Sequence, residues 1–208
     1  FRTQLFLEKT MIIAIHGLGS TGEGSSTCQS IKKHFEKEEV VTPTWDITDP
    51  VGTATALKEI AEAYKQRDTK SKLHIVGISF GGFLARWLAN EFSDDVAGLI
   101  MINPVLDPSL SLKRRLGENK SFVTGDSFYI TEGHIEAYGK LVVAEGQFVQ
   151  STKVILGMKD DVVNPALALS TFGSTAAVVQ IAEGGHRLSE HSDQVLREIS
   201  STIEAVAK

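Results

Sequence analysis

The chain has 208 residues, of which 42% are hydrophobic and 23% are charged, as is ordinary for a globular protein. Its net charge of -5 excludes the strong basic field of a nucleic-acid-binding surface, and no apolar run approaches the roughly 20 residues of a membrane span. The single cysteine, Cys28, excludes an internal disulfide and a thiolate-rich metal site, and it is typical of a reducing cytoplasm. We therefore expect a cytoplasmic protein with one main domain.

The first ten residues differ from the rest of the chain. They precede Met11, where the first strand pattern begins, and they lack the long apolar core and cleavage site of a signal peptide. We expect residues 1–10 to be an artificial remnant or an N-terminal extension, which could add an edge strand. Residues 11–208 are expected to form a single domain.

Near-continuous apolar runs recur along the chain and predict strands that are buried on both faces of a parallel sheet. These runs cover residues 11–15, 73–76, 96–102, 153–157 and 176–181, and a weaker strand pattern covers 40–45. Apolar residues at helical spacing predict helices capped by Ser26, capped by Asp49, starting at Phe80 and starting near Ser189. Strands that alternate with helices indicate an α/β protein with a mainly parallel sheet and helices on both faces.

The alternation lapses between residues 105 and 150. This stretch mixes proline, serine, glycine and charged residues, with one helix-like piece at 135–143. An irregular excursion of this length in a compact domain is usually functional, so we expect a small lid-like insertion. Four of its apolar residues are candidates either for lining an acyl pocket or for packing the lid: Phe122, Phe128, Tyr129 and Leu141.

The pentapeptide Gly77-Ile78-Ser79-Phe80-Gly81 lies where a predicted strand turns into a predicted helix. A Gly-x-Ser-x-Gly match is informative only in this context, because the sharp turn presents the serine hydroxyl above the sheet. The N-terminus of the following helix favours negative charge beside the serine. Ser79 is therefore a candidate nucleophile.

An acid and a histidine follow Ser79 in the order expected of such a site. Asp160 and Asp161 come directly after the strand at 153–157, and His186 follows Gly184-Gly185 after the next strand. Histidine titrates near neutral pH, so it can take the serine proton and return it to a leaving group, while a carboxylate holds the ring. Position alone leaves both aspartates open as the orienting acid.

A tetrahedral oxyanion beside Ser79 needs two hydrogen-bond donors. One is the backbone N–H of Phe80, the residue after the nucleophile. The other is expected in the loop after the first strand, where His16-Gly17-Leu18 suggests the N–H of Leu18. The expected role of His16 is to shape this loop.

These motifs resemble those of the α/β-hydrolases, and within them the small YqiA-type bacterial esterases. The resemblance runs from Met11 to near the C-terminus and is carried by His16-Gly17-Leu18, Gly77 to Gly82, Ile102-Asn103-Pro104, Leu116 to Asn119, Thr124-Gly125, Gly133-His134-Ile135, Gly157 to Asp160, and Gly184-Gly185-His186. It implies an α/β-hydrolase fold and a Ser79–Asp160–His186 triad, with Asp161 as second choice because Gly157, Asp160 and Val163 fit the family register. It also implies hydrolysis of carboxylic esters or thioesters of modest chain length. We expect a serine hydrolase that cleaves carboxylic esters with short- to medium-chain acyl groups and needs no metal or organic cofactor. The glycine- and serine-rich loop after Leu18 is longer than the family pattern.

Two other functions remain open alongside esterase activity. An acyl thioesterase or acyltransferase would use the same triad, because a triad does not choose the group that accepts the acyl chain. A non-catalytic binding protein could also keep a hydrolase fold. The small-molecule partner is thus an acyl ester or thioester, and the sequence leaves the oligomeric state open.

Three further features of the sequence could be read as functional sites, but each has a simpler interpretation. Gly17 to Gly22 matches the dinucleotide fingerprint, but the predicted helix begins after the third glycine instead of at it. The basic run Lys113-Arg114-Arg115 suits either an acidic substrate group or, more commonly, a solvated helix face. His34, His134 and His191 are expected to be exposed or to pack against a helix, and His74, in a predicted strand, is expected to be hydrogen-bonded in the core.

Overall fold

The structure is a computed structural model that describes residues 10–66, 72–141, 143 and 151–206. Its strands are β1 (Thr10–Ile15), β2 (Glu39–Val41), β3 (Lys72–Ile78), β4 (Val96–Ile102), β5 (Gly117–Lys120), β6 (Ser127–Ile130), β7 (Thr152–Gly157) and β8 (Ala177–Ile181). Its helices are α1 (Ser26–His34), α2 (Pro50–Lys65), α3 (Phe80–Glu91), α4 (Pro108–Lys113), α5 (Glu132–Gly139), α6 (Pro165–Phe172) and α7 (Ser192–Val206), the last preceded by a 3-10 turn at Ser189–His191.

Six strands form a parallel sheet in the order β2-β1-β3-β4-β7-β8. The carboxyl ends of all six strands therefore meet at one edge, where ligand sites of open α/β sheets lie. The loops after β1, β3, β7 and β8 carry every residue proposed for the site. This sheet and its helices confirm the α/β fold predicted from the alternating pattern.

Alternate residues of each strand pack on opposite faces of the sheet. Ile13 and Ile15 of β1 face a core shared with α2, α3, α5 and α6, whereas Ile12 and Ala14 face a second core shared with α1 and α7. Because both faces are covered by helices, the central strands read as continuous apolar runs.

Local capping explains most helix starts. Asp49 caps α2 as expected: its carboxylate accepts from the Gly52 N–H at 2.9 Å, and Pro50 occupies the first turn. The cap of α1 lies one residue before the predicted Ser26. The side chain of Ser25 accepts from the N–H of Cys28. The prediction missed by one residue because two consecutive serines are equally good cap candidates in the sequence.

The region from 105 to 150 is more regular than its composition predicts. It contains α4, an antiparallel hairpin of β5 and β6, and α5, which begins at Glu132 and ends at Gly139 where a helix over 135–143 was expected. Residues 142 and 144–150 lie outside the described residues. The second strand is also shorter than predicted, ending at Val41 before Pro43, which has no N–H to donate to a neighbouring strand. Within the described ranges, no helix is long and apolar enough to cross a membrane.

Candidate active site

Ser79 occupies a strained turn between β3 and α3. Its φ of 56° and ψ of -119° are rare for a residue with a side chain, and its N–H donates to the carbonyl of Ile102 at 2.9 Å. Two neighbouring glycines make the turn possible. A Cβ on Gly77 would lie 2.3 Å from the carbonyl oxygen of Gly81, and one on Gly81 would lie 2.3 Å from that of Ile15. The predicted turn therefore holds the hydroxyl at the carboxyl edge of the sheet.

The side chains of Ser79, His186 and Asp160 form one hydrogen-bonded chain. The Nε2 atom of His186 lies 3.1 Å from the Oγ of Ser79, and its Nδ1 lies 2.8 Å from the Oδ2 of Asp160. An ionised carboxylate only accepts, so Nδ1 carries the ring proton and Nε2 is left to accept from the serine hydroxyl. The ring is 21% exposed, whereas the carboxylate is only 1% exposed.

Asp160 is held as an ion by its hydrogen bonds. Burial raises the pKa of its carboxyl, but the His186 N–H and the backbone N–H groups of Val163 and Val162 outweigh burial and leave the pKa below its usual value. Both backbone groups donate to Oδ1 at 2.8 Å. Asp161, the second choice from sequence, is exposed and has no hydrogen bond or ion pair within the described part of the chain. The structure thus brings Asp160, and not its neighbour, to His186.

The loop after β1 lies directly against Ser79. A Cβ on Gly17 would be 3.2 Å from the Cβ and 3.7 Å from the Oγ of Ser79, so the peptide that joins Gly17 to Leu18 lies beside the hydroxyl. Phe80 begins α3 on the other side, and the first N–H groups of a helix have no partner within that helix. The residues predicted to supply two oxyanion donors, Leu18 and Phe80, are therefore both next to the nucleophile.

The rings of His16, Trp45 and Phe80 form an aromatic cluster next to this loop. The His16 ring stacks on Trp45 with centroids 5.1 Å apart, and Trp45 stacks in turn on the fully buried ring of Phe80 at 5.6 Å. Burial lowers the pKa of His16. The neutral ring donates from Nδ1 to the carbonyl of Gly17 at 2.8 Å and accepts at Nε2 from the N–H of Trp45 at 3.3 Å. His16 thus has the loop-shaping contacts predicted for it.

The hairpin of β5 and β6 touches two of the site's loops. The N–H of Phe122, at its tip, donates to the carbonyl of Gly19 at 2.7 Å, and the guanidinium of Arg187 lies 5.5 Å from the Phe122 ring centroid. Phe122 and Tyr129 remain 65% and 59% exposed. The other two apolar candidates of the insertion, Phe128 and Leu141, are partly buried against the main core.

Within the described residues, the side chains of the other candidates make no hydrogen bond to the side chain of Ser79, Asp160 or His186. Of the basic run, Lys113 and Arg114 are exposed at the end of α4. The helix after the glycine-rich loop begins at Ser26, well past Gly22. Three histidines make local contacts: His34 lies 2.9 Å from the Ser200 hydroxyl, His134 belongs to the capping box of α5, and His191 ends the 3-10 turn. His74 is buried in β3 as expected, but its Nδ1 has no hydrogen-bond partner among the described residues, so the expected core hydrogen bond at this atom is wrong.

Sequence reasoning missed one residue that contacts the loops of both the acid and the base. Asn103, 1% exposed, bonds through its side chain to Gly157 on one side and to Gly185 and His186 on the other. It was noted only as part of Ile102-Asn103-Pro104. A polar residue that directly ends a buried strand at the site edge was the one signal available.

Comparison with solved structures places this geometry in a known fold. The chain is similar to Est1E from Butyrivibrio proteoclasticus, with a TM-score of 0.77 and 16% identity over 97% of this chain and 90% of that one. It is also similar to mouse alpha/beta hydrolase domain-containing protein 10 (TM-score 0.71, 16% identity, 94% and 90% covered). A thermophilic esterase from Thermogutta terrifontis is a third such structure (TM-score 0.69, 13% identity, 96% and 91% covered). These likenesses establish the α/β-hydrolase fold.

A family model matches residues 11–202, nearly the whole chain, and is described as Uncharacterised protein family (UPF0227). This match confirms the resemblance to the YqiA-type family that the motifs indicated. The chain belongs to this family, and its fold is that of the α/β-hydrolases.

Proposed function

We propose that the protein is a serine hydrolase that cleaves carboxylic esters with short- to medium-chain acyl groups. The observation that carries this proposal is the continuous hydrogen-bonded chain from the Ser79 hydroxyl through His186 to Asp160, with distances of 3.1 and 2.8 Å. Nucleophile, base and orienting acid are within reach of one another before any substrate binds.

In the acylation step, the Oγ of Ser79 attacks the carbonyl carbon of the ester while Nε2 of His186 takes the hydroxyl proton. Asp160 stabilises the imidazolium that forms and keeps the ring in the reactive tautomer. The negative oxygen of the tetrahedral intermediate is held by the N–H groups of Leu18 and Phe80. Collapse of the intermediate breaks the ester C–O bond, and the alcohol leaves with the proton from Nε2.

Deacylation repeats the same proton transfers with water. A water molecule attacks the acyl-Ser79 ester and gives a proton to Nε2 of His186. Loss of the Ser79 oxygen, which takes that proton back, releases the carboxylic acid and restores the enzyme. Because the ring is 21% exposed, water has access to the base.

Esterases among the similar folds support an ester as substrate. Est1E has also been solved with ferulic acid bound, and the Thermogutta protein is named an esterase. We extend only the reaction class to this chain. We propose that Phe122, whose ring is exposed and whose N–H is hydrogen-bonded to the Gly19 carbonyl, forms one wall of the pocket entrance. A cytoplasmic location stays a prediction from the single cysteine.

The test is hydrolysis of p-nitrophenyl esters with acyl chains from two to twelve carbons, for the wild type and for Ser79→Ala. We expect wild-type activity with a maximum at short or medium chains, and its loss by about 10⁴-fold or more in the variant. Ser170→Ala, an exposed serine on α6, is the matched control and should keep wild-type rates. Absence of wild-type activity on every ester contradicts the proposal.

Matched oxoester and thioester substrates with one acyl chain separate esterase from thioesterase. An esterase turns over the oxoester at a higher kcat/KM. Preference for the thioester, or transfer of the acyl group to an added thiol or alcohol, favours the thioesterase or acyltransferase instead.

A further inference from the structure

Asn103 lies between the elements that carry the nucleophile, the acid and the base of the proposed site. It directly follows β4, between the strand of the nucleophile and the strand of the acid in the sheet order. Its backbone N–H donates to the carbonyl of Ile155 in β7 at 2.9 Å, and its neighbour Ile102 accepts the N–H of Ser79 at 2.9 Å. The backbone at Asn103 is therefore held by hydrogen bonds toward β7 and toward Ser79, independently of the Asn103 side chain.

The side chain of Asn103 joins the acid loop to the base loop. Its Oδ1 accepts from the N–H of Gly157, the last residue of β7, at 2.7 Å. Its Nδ2 donates to the carbonyls of His186 at 2.8 Å and of Gly185 at 3.2 Å. A buried amide that satisfies both its acceptor and its donor with backbone groups has one allowed orientation.

The direct packing of the two loops makes their relative position sensitive to this residue. A Cβ on Gly157 would lie 2.5 Å from the carbonyl oxygen of Gly185 and 2.6 Å from that of Gly184, so the two backbones touch with no room for a side chain. The N–H of Lys159 also donates to the carbonyl of Gly184 at 2.8 Å. Asn103 adds the contact closest to the base itself, at the His186 carbonyl.

The backbone conformation explains why asparagine suits this position. Asn103 has a φ of 43°, in the left-handed region that asparagine, aspartate and glycine tolerate best. Glycine has no side chain with which to join the loops. Aspartate has no N–H to donate, and its carboxylate would face two carbonyl oxygens.

We infer that Asn103 is a positioning residue of the hydrolase, which holds the His186 loop so that the ring bridges Ser79 and Asp160. The inference rests on the proposed function. The described hydrogen bonds of the Asn103 side chain all go to backbone groups, so we assign it an action through the main chain of His186. A displacement of that main chain lengthens both hydrogen bonds of the ring, and misplacement by about 1 Å can cost on the order of 10²-fold in rate.

Asn103→Asp tests this inference with nearly unchanged side-chain volume. The variant keeps an acceptor for Gly157 but loses the donation to Gly185 and His186. Asn119→Asp is the matched control, because the Nδ2 of Asn119 also donates to two backbone carbonyls, those of Arg115 at 2.7 Å and Gly117 at 3.1 Å. Rates are expressed per active site, counted with a serine-reactive phosphonate, so that a smaller folded fraction does not lower kcat.

We expect Asn103→Asp to lower kcat by about 10²-fold with KM changed less than twofold, and Asn119→Asp to keep the wild-type kcat. A second readout follows the proton between His186 and Asp160, which should give a low-field NMR resonance assigned by its loss in His186→Ala. That resonance should disappear in Asn103→Asp and persist in Asn119→Asp. A role in stability alone would move neither kcat per site nor this resonance.

A folded Asn103→Asp with wild-type kcat per site and an unchanged resonance overturns the inference. If that variant does not fold, Asn103→Gly replaces it, since glycine accepts the positive φ and buries no charge, and the same two results decide. If the wild type hydrolyses no ester, the proposed function fails while the resonance still decides the inference: its loss supports the role of Asn103 and its persistence refutes it.

Discussion

Replacing Asp160 with asparagine reverses the hydrogen-bonding preference at Nδ1 of His186. In the wild type, one oxygen of the Asp160 carboxylate accepts from Nδ1 at 2.8 Å, and the other accepts from the N–H groups of Val162 and Val163. An asparagine keeps its carbonyl oxygen on those two backbone groups and turns its NH₂ toward the ring. Since NH₂ only donates, the favoured tautomer carries its proton on Nε2 and can no longer accept from Ser79.

The expected loss is large because it removes the base without moving it. Loss of the correct tautomer in a serine triad lowers kcat by about 10⁴-fold, which corresponds to about 5.5 kcal/mol of barrier. The side chain of Asp160 is 1% exposed, so little solvent is available to compensate for the missing charge. The two backbone hydrogen bonds survive, and the loop should keep its shape.

The assay is kcat/KM for a short-chain p-nitrophenyl ester at pH 8, with circular dichroism to verify folding. Asp161→Asn is the matched control, since it removes an adjacent, exposed charge that makes no described contact. We expect the control to stay within about twofold of the wild type. A folded Asp160→Asn within tenfold of the wild type, or an equal loss in Asp161→Asn, would refute the proposed roles.

Three predictions concern stability. Gly157→Ala should lower the free energy of unfolding by about 2 kcal/mol or more in urea titrations, because the added Cβ would meet backbone atoms 2.5 Å away. Gly133→Ala is the control and should be neutral or stabilising, because its Cβ would meet only a hydroxyl at 3.6 Å. Equal effects of the two substitutions would contradict this reasoning. Burial lowers the pKa of His74 from 6.5 to about 4, so unfolding takes up a proton between these pH values and stability falls as the pH drops through this window. Chemical denaturation should show a loss of about 2 kcal/mol at pH 5 relative to pH 7 from this residue, and His74→Phe should remove that part of the pH dependence. Asp49→Ala should cost about 1 kcal/mol by removing the α2 cap, and an unchanged urea midpoint would argue against that role.

Elements whose burial is simple were predictable from the sequence. β4 was predicted with its observed bounds because both of its faces are covered and all of its residues are apolar or small. The hairpin was missed because its two strands have only four residues each. Gly117–Lys120 is polar and mostly exposed, and Ser127–Ile130 is too short to establish an alternation that would distinguish it from a loop. Their pairing depends on register between strands, which local pattern does not encode.

The residues of the candidate site also divide into those that local sequence features identify and those that only the fold identifies. The candidates Ser79 and His186 were identified because strand ends and a glycine-bounded turn are local features. The choice between Asp160 and Asp161 needed the family register, since only the fold of the loop decides which carboxylate is buried. Asn103 was missed because its side-chain partners lie 54, 82 and 83 residues away along the chain.

The central claim is that Ser79 becomes covalently acylated with help from His186. The most direct measurement is intact-protein and peptide mass spectrometry after reaction with a serine-reactive phosphonate, for the wild type, Ser79→Ala and His186→Ala. We predict one adduct per wild-type molecule, located on Ser79 and accompanied by loss of esterase activity, with no adduct on Ser79→Ala and much slower labelling of His186→Ala. A wild-type protein that is not labelled, or a Ser79→Ala variant that is labelled equally well, would contradict the account.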